Sequence, residues 1–250
     1  MILPAAFLTR PIAHRAYHDK TQGRPENSRA AIRAAVDAGY GIEIDLQLSA
    51  DGQAMVIHDY DLRRLTGQRG AVALRTAAEL GTIPLLHGDE GIPTLCEVLD
   101  IIAGRVALLI EIKDQDGKMG PNVGPLEQAT ADALQSYTGP VAIMSFNPHS
   151  IIEMASLAPD LPRGLTTSAY KPLSWAPLPA AVCARLRGIP DYDRTTSCFI
   201  SHEAFDLDRP RVAHLKSAGA AVLCWTIRSA EAEAAARRIA QNITFEGYPA

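Results

Sequence analysis

In the stretch Gly41-Ile42-Glu43-Ile44-Asp45-Leu46-Gln47-Leu48, two carboxylates separated by one residue interrupt an apolar strand pattern. Residues i and i+2 of a strand share a face, so Glu43 and Asp45 project together. Two acids on one face of an apolar strand repel each other and are costly to bury, and a divalent cation between them removes that cost. Asp51-Gly52 then signals a turn, and Ala54–His58 reads as the returning extended segment, ending in Met55-Val56-Ile57-His58-Asp59. Further on, Val106–Lys113 repeats the design as an apolar strand pattern that ends in Glu111 and Lys113, again spaced i and i+2. Polar groups gathered where buried strands end point to an active site at the mouth of a barrel.

Outward from these segments, strand and helix patterns alternate along the whole chain. Pro11–Ala16 reads as the first strand. Asn27 or Ser28 caps a helix that runs through Ala38 and stops at Gly39. After Val106–Lys113 come strands at Val141–Ser145, Arg163–Ser168, Ser197–Ser201, Ala221–Ile227 and Asn242–Glu246. Helices fall between them at Leu95–Ala103, Pro125–Tyr137, Pro148–Leu157, Pro177–Arg187, Pro210–Ala218 and Ala230–Ala240. Eight strands alternating with helices over 250 residues is the count of a (β/α)8 TIM barrel. The competing doubly wound sheet lacks support, because no G-x-G-x-x-G follows a strand and no P-loop is present. The least regular stretch, Asp61–Pro93, reads as a short insertion between the second and third β/α units, with a short helix near Thr76–Leu80. At about thirty residues it is too small for a core of its own, so residues 1–250 are read as a single domain.

Composition narrows the function. A net charge of −4, spread along the chain, leaves no basic footprint for nucleic acid, and 6% aromatics argues against base-stacking surfaces. No apolar run is long enough to span a bilayer. The first ten residues lack the charged start and full apolar core of a signal peptide, which leads to the expectation of a cytoplasmic protein. The four cysteines, Cys96, Cys183, Cys198 and Cys224, form no C-x-x-C pair and read as buried free thiols. No helix carries a clear interface stripe, which leaves the oligomeric state open.

At the strand ends the barrel reading gathers His14 and Arg15 on the first strand, Glu43 and Asp45 on the second, Glu111 and Lys113 on the third, and Trp225 on the seventh. Glu43, Asp45 and Glu111 supply three oxygen donors, with no Cys or His at zinc-like spacing, and that set suits a hard cation, Mg²⁺ or Ca²⁺. His14 and His58 are near-neutral acid–base groups, and Arg15 and Lys113 are fixed positive charges. One metal, two cations and two imidazoles together suit an anionic phosphorus centre. Singly, each residue has a plainer reading: a satisfied structural histidine, a solvated edge, an ion pair, a core tryptophan or a helix cap. His18, His87, His149, His202 and His214 stay on that plainer side. The joint placement separates the catalytic reading from the plain one.

With these residues in view, the sequence resembles the glycerophosphodiester phosphodiesterase family. The shared elements are His14-Arg15-Ala16, Pro25-Glu26-Asn27-Ser28, Glu43-Ile44-Asp45, Asp51-Gly52 with Val56-Ile57-His58-Asp59, Leu65-Thr66-Gly67, Ile92-Pro93-Thr94-Leu95, Glu111-Ile112-Lys113, Ser145-Phe146 and Cys224-Trp225-Thr226, in the family's order over nearly the whole chain. The resemblance implies a TIM barrel, one divalent metal, and hydrolysis of small-molecule glycerophosphodiesters to sn-glycerol 3-phosphate and an alcohol. It implies His14 and His58 as the acid–base pair, Glu43, Asp45 and Glu111 as metal ligands, Arg15 and Lys113 as phosphate partners, and Phe146 and Trp225 as walls of the substrate cleft. It also implies attack by a neighbouring substrate hydroxyl, through a cyclic phosphate that water opens. The chain departs from the family in having Ala16 where a glycine is usual, and Glu246 followed by Gly247 where the last strand usually carries an aspartate. The short insertion implies a small lid and leaves the leaving alcohol open among choline, ethanolamine, glycerol, inositol and a sugar. The alternatives are a lysophospholipase D or other phosphodiesterase on the same scaffold, which would need a greasy rim near Leu85 and Leu86, and a non-catalytic protein that binds a phosphate ligand.

Overall fold

A computed structural model describes all 250 residues. Nine strands form one sheet: β1 (Ile12–Ala13), β2 (Gly41–Leu48), β3 (Ala54–Val56), β4 (Leu108–Ile112), β5 (Val141–Ser145), β6 (Arg163–Thr167), β7 (Phe199–Glu203), β8 (Ala221–Ile227) and β9 (Asn242–Phe245). β1 pairs in parallel with both β9 and β2, which closes an eight-stranded parallel barrel, and β3 lies outside the ring as an antiparallel hairpin partner of β2. The (β/α)8 architecture expected from the alternation is the one observed.

Closure creates two apolar layers. Ile42, Ile44 and Leu46 of β2 face outward with Leu108, Ile110 and Ile112 of β4 and pack under the surrounding helices. Leu109, Met144, Phe199 and Leu223 fill the barrel interior. Gly164 is required beside this inner packing, because a Cβ there would lie 2.6 Å from the Phe199 ring. Leu3 and Phe7 plug the bottom of the barrel, and Asn242, fully buried, ties that segment down by donating to the carbonyls of Phe7 and Arg10. Sealing one end leaves the C-terminal mouth as the open end.

Several element ends differ from the sequence reading. β1 stops at Ala13: Arg15 and Ala16 take left-handed backbone angles (φ 52° and 65°), so His14, Arg15 and Ala16 form a turn above the strand. β4 ends at Ile112, one residue short of Lys113, and β7 runs Phe199–Glu203, later than expected. The helices at Pro125–Leu134, Ala180–Arg187 and Ala230–Ala236 are shorter than their periodic patterns. The helix that starts after Ser28 is as expected: the Ser28 hydroxyl accepts from the Ala31 amide, and Gly39 closes the last turn at φ 71°.

The 61–93 stretch is more ordered than its sequence suggests. Thr76 and Glu79 form a capping box for the helix Ala77–Thr82. Leu62, Leu65, Leu80, Leu85 and Ile92 pack on Met55 and Ile57 as a satellite core. The hairpin thus supplies the apolar surface that a thirty-residue insertion lacks by itself. Among the cysteines, Cys183, Cys198 and Cys224 are buried as expected, while Cys96 is exposed on its helix.

Candidate active site

The strand register assembles the acid cluster. Asp45 of β2 sits opposite Glu111 of β4, which sits opposite Met144 of β5. Glu43 is paired with Leu109, an interior residue, so Glu43, Asp45 and Glu111 all share the inner face. One carboxylate oxygen from each lies within 4.8 Å of the others, and all three residues are buried. The segments expected from sequence to converge therefore do so.

The electrostatics of the cluster are lopsided. Burial, with Asp45 and Glu111 adding repulsion, pushes the Glu43 carboxyl well above its usual range. Burial also acts against the charged form of Asp45, but Lys113, His58, Arg15 and His14 together hold its carboxyl far below normal. Lys113 ends 2.7 Å from Asp45 Oδ1 and also bonds Glu111 Oε1, so the ammonium is an internal counter-charge to the acids and not a free cation. Arg15 is similarly engaged: its amide donates to Glu43 Oε2 at 2.9 Å, and its guanidinium bonds Glu26 at 2.7 Å and approaches Asp45 at 3.5 Å. Three buried carboxylates facing one point, one of them resisting ionisation, form a donor set that a hard divalent cation fits.

Each imidazole is oriented by its own carboxylate. His14 Nδ1 lies 2.6 Å from Glu246 Oε2, and Glu246 Oε1 accepts from Arg228 Nε at 2.7 Å. His58 Nδ1 lies 2.8 Å from Asp59 Oδ1, and Asp59 is clamped by Arg64 at 2.7 Å. With Nδ1 held, Nε2 of each ring is the atom available for proton transfer. Burial lowers the pKa of His14 in spite of Glu246, which favours the neutral ring. Both imidazoles line one cleft of about 300 Å³ together with Arg15, Glu43, Asp45, Glu111 and Lys113. Phe146 and Trp225 line the same cleft, their ring centroids 5.5 Å apart, and Trp225 Nε1 donates to the Ser201 carbonyl.

Of the histidines read as structural, His202 is buried and bonded to Thr167 and Asp206. His18 is nearer the site than its plain reading implies, 3.6 Å from Glu246. The sequence reading also missed the groups that hold the site in place. Asn27, which reads as a helix cap, instead donates to Asp45 Oδ2 at 3.0 Å. Glu26 joins Arg15 to Arg64, and Trp175, on the loop after β6, enters the cleft beside Phe146. The motif Pro25-Glu26-Asn27-Ser28 was the one available signal for the first two; nothing local marks Trp175. The greasy rim sought at Leu85 and Leu86 is reduced to Leu86, because Leu85 is buried in the satellite core.

Glu26 sets an acid limit on stability. The Arg64 and Arg15 guanidiniums overcome the effect of burial and lower its carboxyl to about 2. A depressed carboxyl pKa stabilises the fold above its unfolded value and loses that contribution as pH falls through the folded value. About 3 kcal/mol is therefore expected to disappear between pH ~4.5 and ~2, and Glu26→Gln should flatten that part of the profile. Denaturant midpoints measured from pH 6 to pH 2 on both proteins check this; parallel profiles would contradict it.

The sequence profile of the glycerophosphoryl diester phosphodiesterase family matches residues 14–243. A glycerophosphodiester phosphodiesterase of Caldanaerobacter subterraneus subsp. tengcongensis is 36% identical over 165 residues, which are 62% of this chain and 65% of that protein; the chain thus spans just under two thirds of that relative. Among solved structures, an Oleispira antarctica phosphodiesterase in complex with the product sn-glycerol-3-phosphate superposes with a TM-score of 0.76 at 27% identity, covering 98% of this chain and 95% of that one. A glycerophosphodiester phosphodiesterase from Parabacteroides distasonis, at 22% identity and a TM-score of 0.74, shares the fold over 94% and 92% of the two chains.

Proposed function

Because the chain belongs to the glycerophosphoryl diester phosphodiesterase family, we propose that it hydrolyses glycerophosphodiesters to sn-glycerol 3-phosphate and an alcohol, using a divalent cation and a pair of imidazoles. The observation that carries this reading is the opening of two carboxylate-oriented imidazoles, His14 and His58, into one cleft beside three converging acids.

Glu43, Asp45 and Glu111 would hold the cation, Mg²⁺ or Ca²⁺. When bound, it supplies positive charge that polarises a phosphoryl oxygen and offsets the charge that develops there. Arg15 and Lys113 add fixed positive charge at the same end of the cleft, and Asn27 keeps Asp45 oriented. His14, kept neutral by burial, accepts the proton of the attacking hydroxyl at Nε2, and Glu246 stabilises the imidazolium that results. His58 protonates the departing alkoxide, with Asp59 fixing its ring, and water then opens the cyclic phosphate left by attack of the substrate's own hydroxyl to give glycerol 3-phosphate. Phe146 and Trp225 exclude water from one side of the substrate. The free thiols Cys183, Cys198 and Cys224 suit a reducing compartment, and we place the activity in the cytoplasm on that ground. No helix is long and apolar enough to cross a membrane.

The test is a substrate panel: the choline, ethanolamine, glycerol and inositol esters of glycerol 3-phosphate, beside lysophosphatidylcholine, with glycerol 3-phosphate and lysophosphatidate as the products followed. Release of glycerol 3-phosphate from at least one headgroup diester is the expected result. Cleavage of the lysolipid alone would move the function to lysophospholipase D, and no cleavage of any would leave a phosphate-binding protein.

A further inference from the structure

Past His58 the cleft continues into a second chamber of about 490 Å³, which shares His58, Glu111, Lys113, Phe146 and Trp175 with the catalytic one. His58 stands at the junction. A diester with its phosphorus at the acid cluster would therefore send one of its two alcohol groups into this chamber.

The chamber's walls are aromatic and thioether: Tyr60, Phe146, Trp175 and Met119. Phe146 and Trp175 meet at a centroid distance of 4.9 Å and 64°, and Trp175 is braced from behind by Tyr170 at 4.7 Å. The Tyr60 hydroxyl is consumed by the Asp114 carbonyl, so its ring is what remains to offer a ligand. Asp59 and Glu111 of the lining are ion-paired, with Arg64 and Lys113, but two further carboxylates are not. Asp114 is buried, and its carboxylate accepts only from neutral donors, Asn147 Nδ2 at 2.7 Å and the Met119 amide at 3.2 Å. Asp61 is in no ion pair either, its carboxylate accepting from the Arg63 amide. The one cation lining the chamber, Lys113, is occupied by Asp45 and Glu111.

From this arrangement, and on the premise of the diesterase reading above, we propose that the second chamber selects a quaternary ammonium alcohol of the choline type, with Trp175 as a specificity-determining residue. Aromatic faces attract a trimethylammonium group, and unpaired carboxylates nearby reinforce the attraction without having to touch it. The competing alcohols fit the walls less well. A polyol would surrender its hydrogen bonds to water to rings and a thioether that return few. A primary ammonium is strongly hydrated and would exchange that shell for aromatic rings and for the acceptor sites that Asp114 and Asp61 have left, whereas a trimethylammonium group needs no hydrogen-bond acceptor.

The deciding comparison uses three esters of glycerol 3-phosphate: choline, its uncharged carbon isostere 3,3-dimethylbutan-1-ol, and glycerol. kcat/KM for the choline ester is expected to exceed that for the isostere by about tenfold, the scale of a partly desolvated cation–π contact. Trp175→Ala should bring that ratio near unity, and Trp175→Phe should keep most of it. Equal rates for the choline ester and its isostere would overturn the proposal, and a ratio unmoved by Trp175→Ala would overturn the assignment of Trp175. A binding arm separates this proposal from its premise: calorimetry of phosphocholine against 3,3-dimethylbutyl phosphate needs no turnover. If no diester is cleaved yet phosphocholine binds more tightly, the chamber stands and the diesterase reading falls. If the two phosphates bind alike, the chamber assignment falls, whatever the enzyme does.

Discussion

His14→Ala is expected to lower kcat by about 10²- to 10⁴-fold, the usual contribution of a positioned acid–base group, while glycerol 3-phosphate still binds. The imidazole is linked to Glu246 at 2.6 Å and holds no other element of the barrel in place. Removing it therefore deletes a proton acceptor without dismantling the acid cluster, which is held by the Arg15 amide, Asn27 and Lys113. His58→Ala should produce a loss of the same order, since its ring is oriented separately by Asp59. Glu246→Gln should cost less, because it removes the orienting charge and leaves the base. Calorimetric titration with glycerol 3-phosphate separates the catalytic role from a structural one: an alanine variant that loses binding in proportion to kcat would show that His14 maintains the shape of the pocket instead of moving a proton.

The second large effect is expected from the cation. Mg²⁺ or Ca²⁺ at about a hundred times its dissociation constant should stabilise the fold by about 2.7 kcal/mol, which for a chain of this size raises Tm by roughly 5 to 10 °C. The physical reason is the lopsided charge of the cluster. Without the cation, the Glu43 carboxyl is held well above its usual range, and Lys113 alone bridges Asp45 and Glu111. A cation reverses the penalty on an ionised Glu43, so binding should also release protons, seen as a dependence of the binding enthalpy on buffer. Asp45→Asn should abolish the Tm shift. A cation-induced shift of equal size in that variant would place the ion elsewhere.

The legible part of this molecule was the part with short sequence range. Glu43 and Asp45 share a face by strand period alone, and the hairpin that returns His58 is marked by Asp51-Gly52. Their convergence with Glu111 needed only the knowledge that β4 follows β2 in the ring, and the register supplies it by setting Asp45 opposite Glu111. The groups that orient the two imidazoles were mostly illegible, because they arrive from far along the chain. Glu246 meets His14 across the seam where β9 closes on β1, a contact spanning 232 positions. Arg64 comes from the insertion, and Trp175 from a loop whose sequence carries no periodic signal. The left-handed turn at Arg15 and Ala16 was hidden for a different reason: neither residue type announces it, as a glycine would. From sequence Arg15 and Lys113 read as phosphate partners; their engagement as internal counter-charges to Asp45 and Glu111 depends on side-chain reach, which no spacing reveals.

The most direct test of the account is the rate of glycerol 3-phosphate release from glycerophosphocholine by the purified protein before chelation, after chelation, and after Mg²⁺ or Ca²⁺ is returned. The expected result is turnover that disappears with the chelator and returns with the ion in the wild type, but does not return in Glu111→Gln. Undiminished turnover in the stripped protein would contradict the assignment of Glu43, Asp45 and Glu111 as the seat of an essential cation.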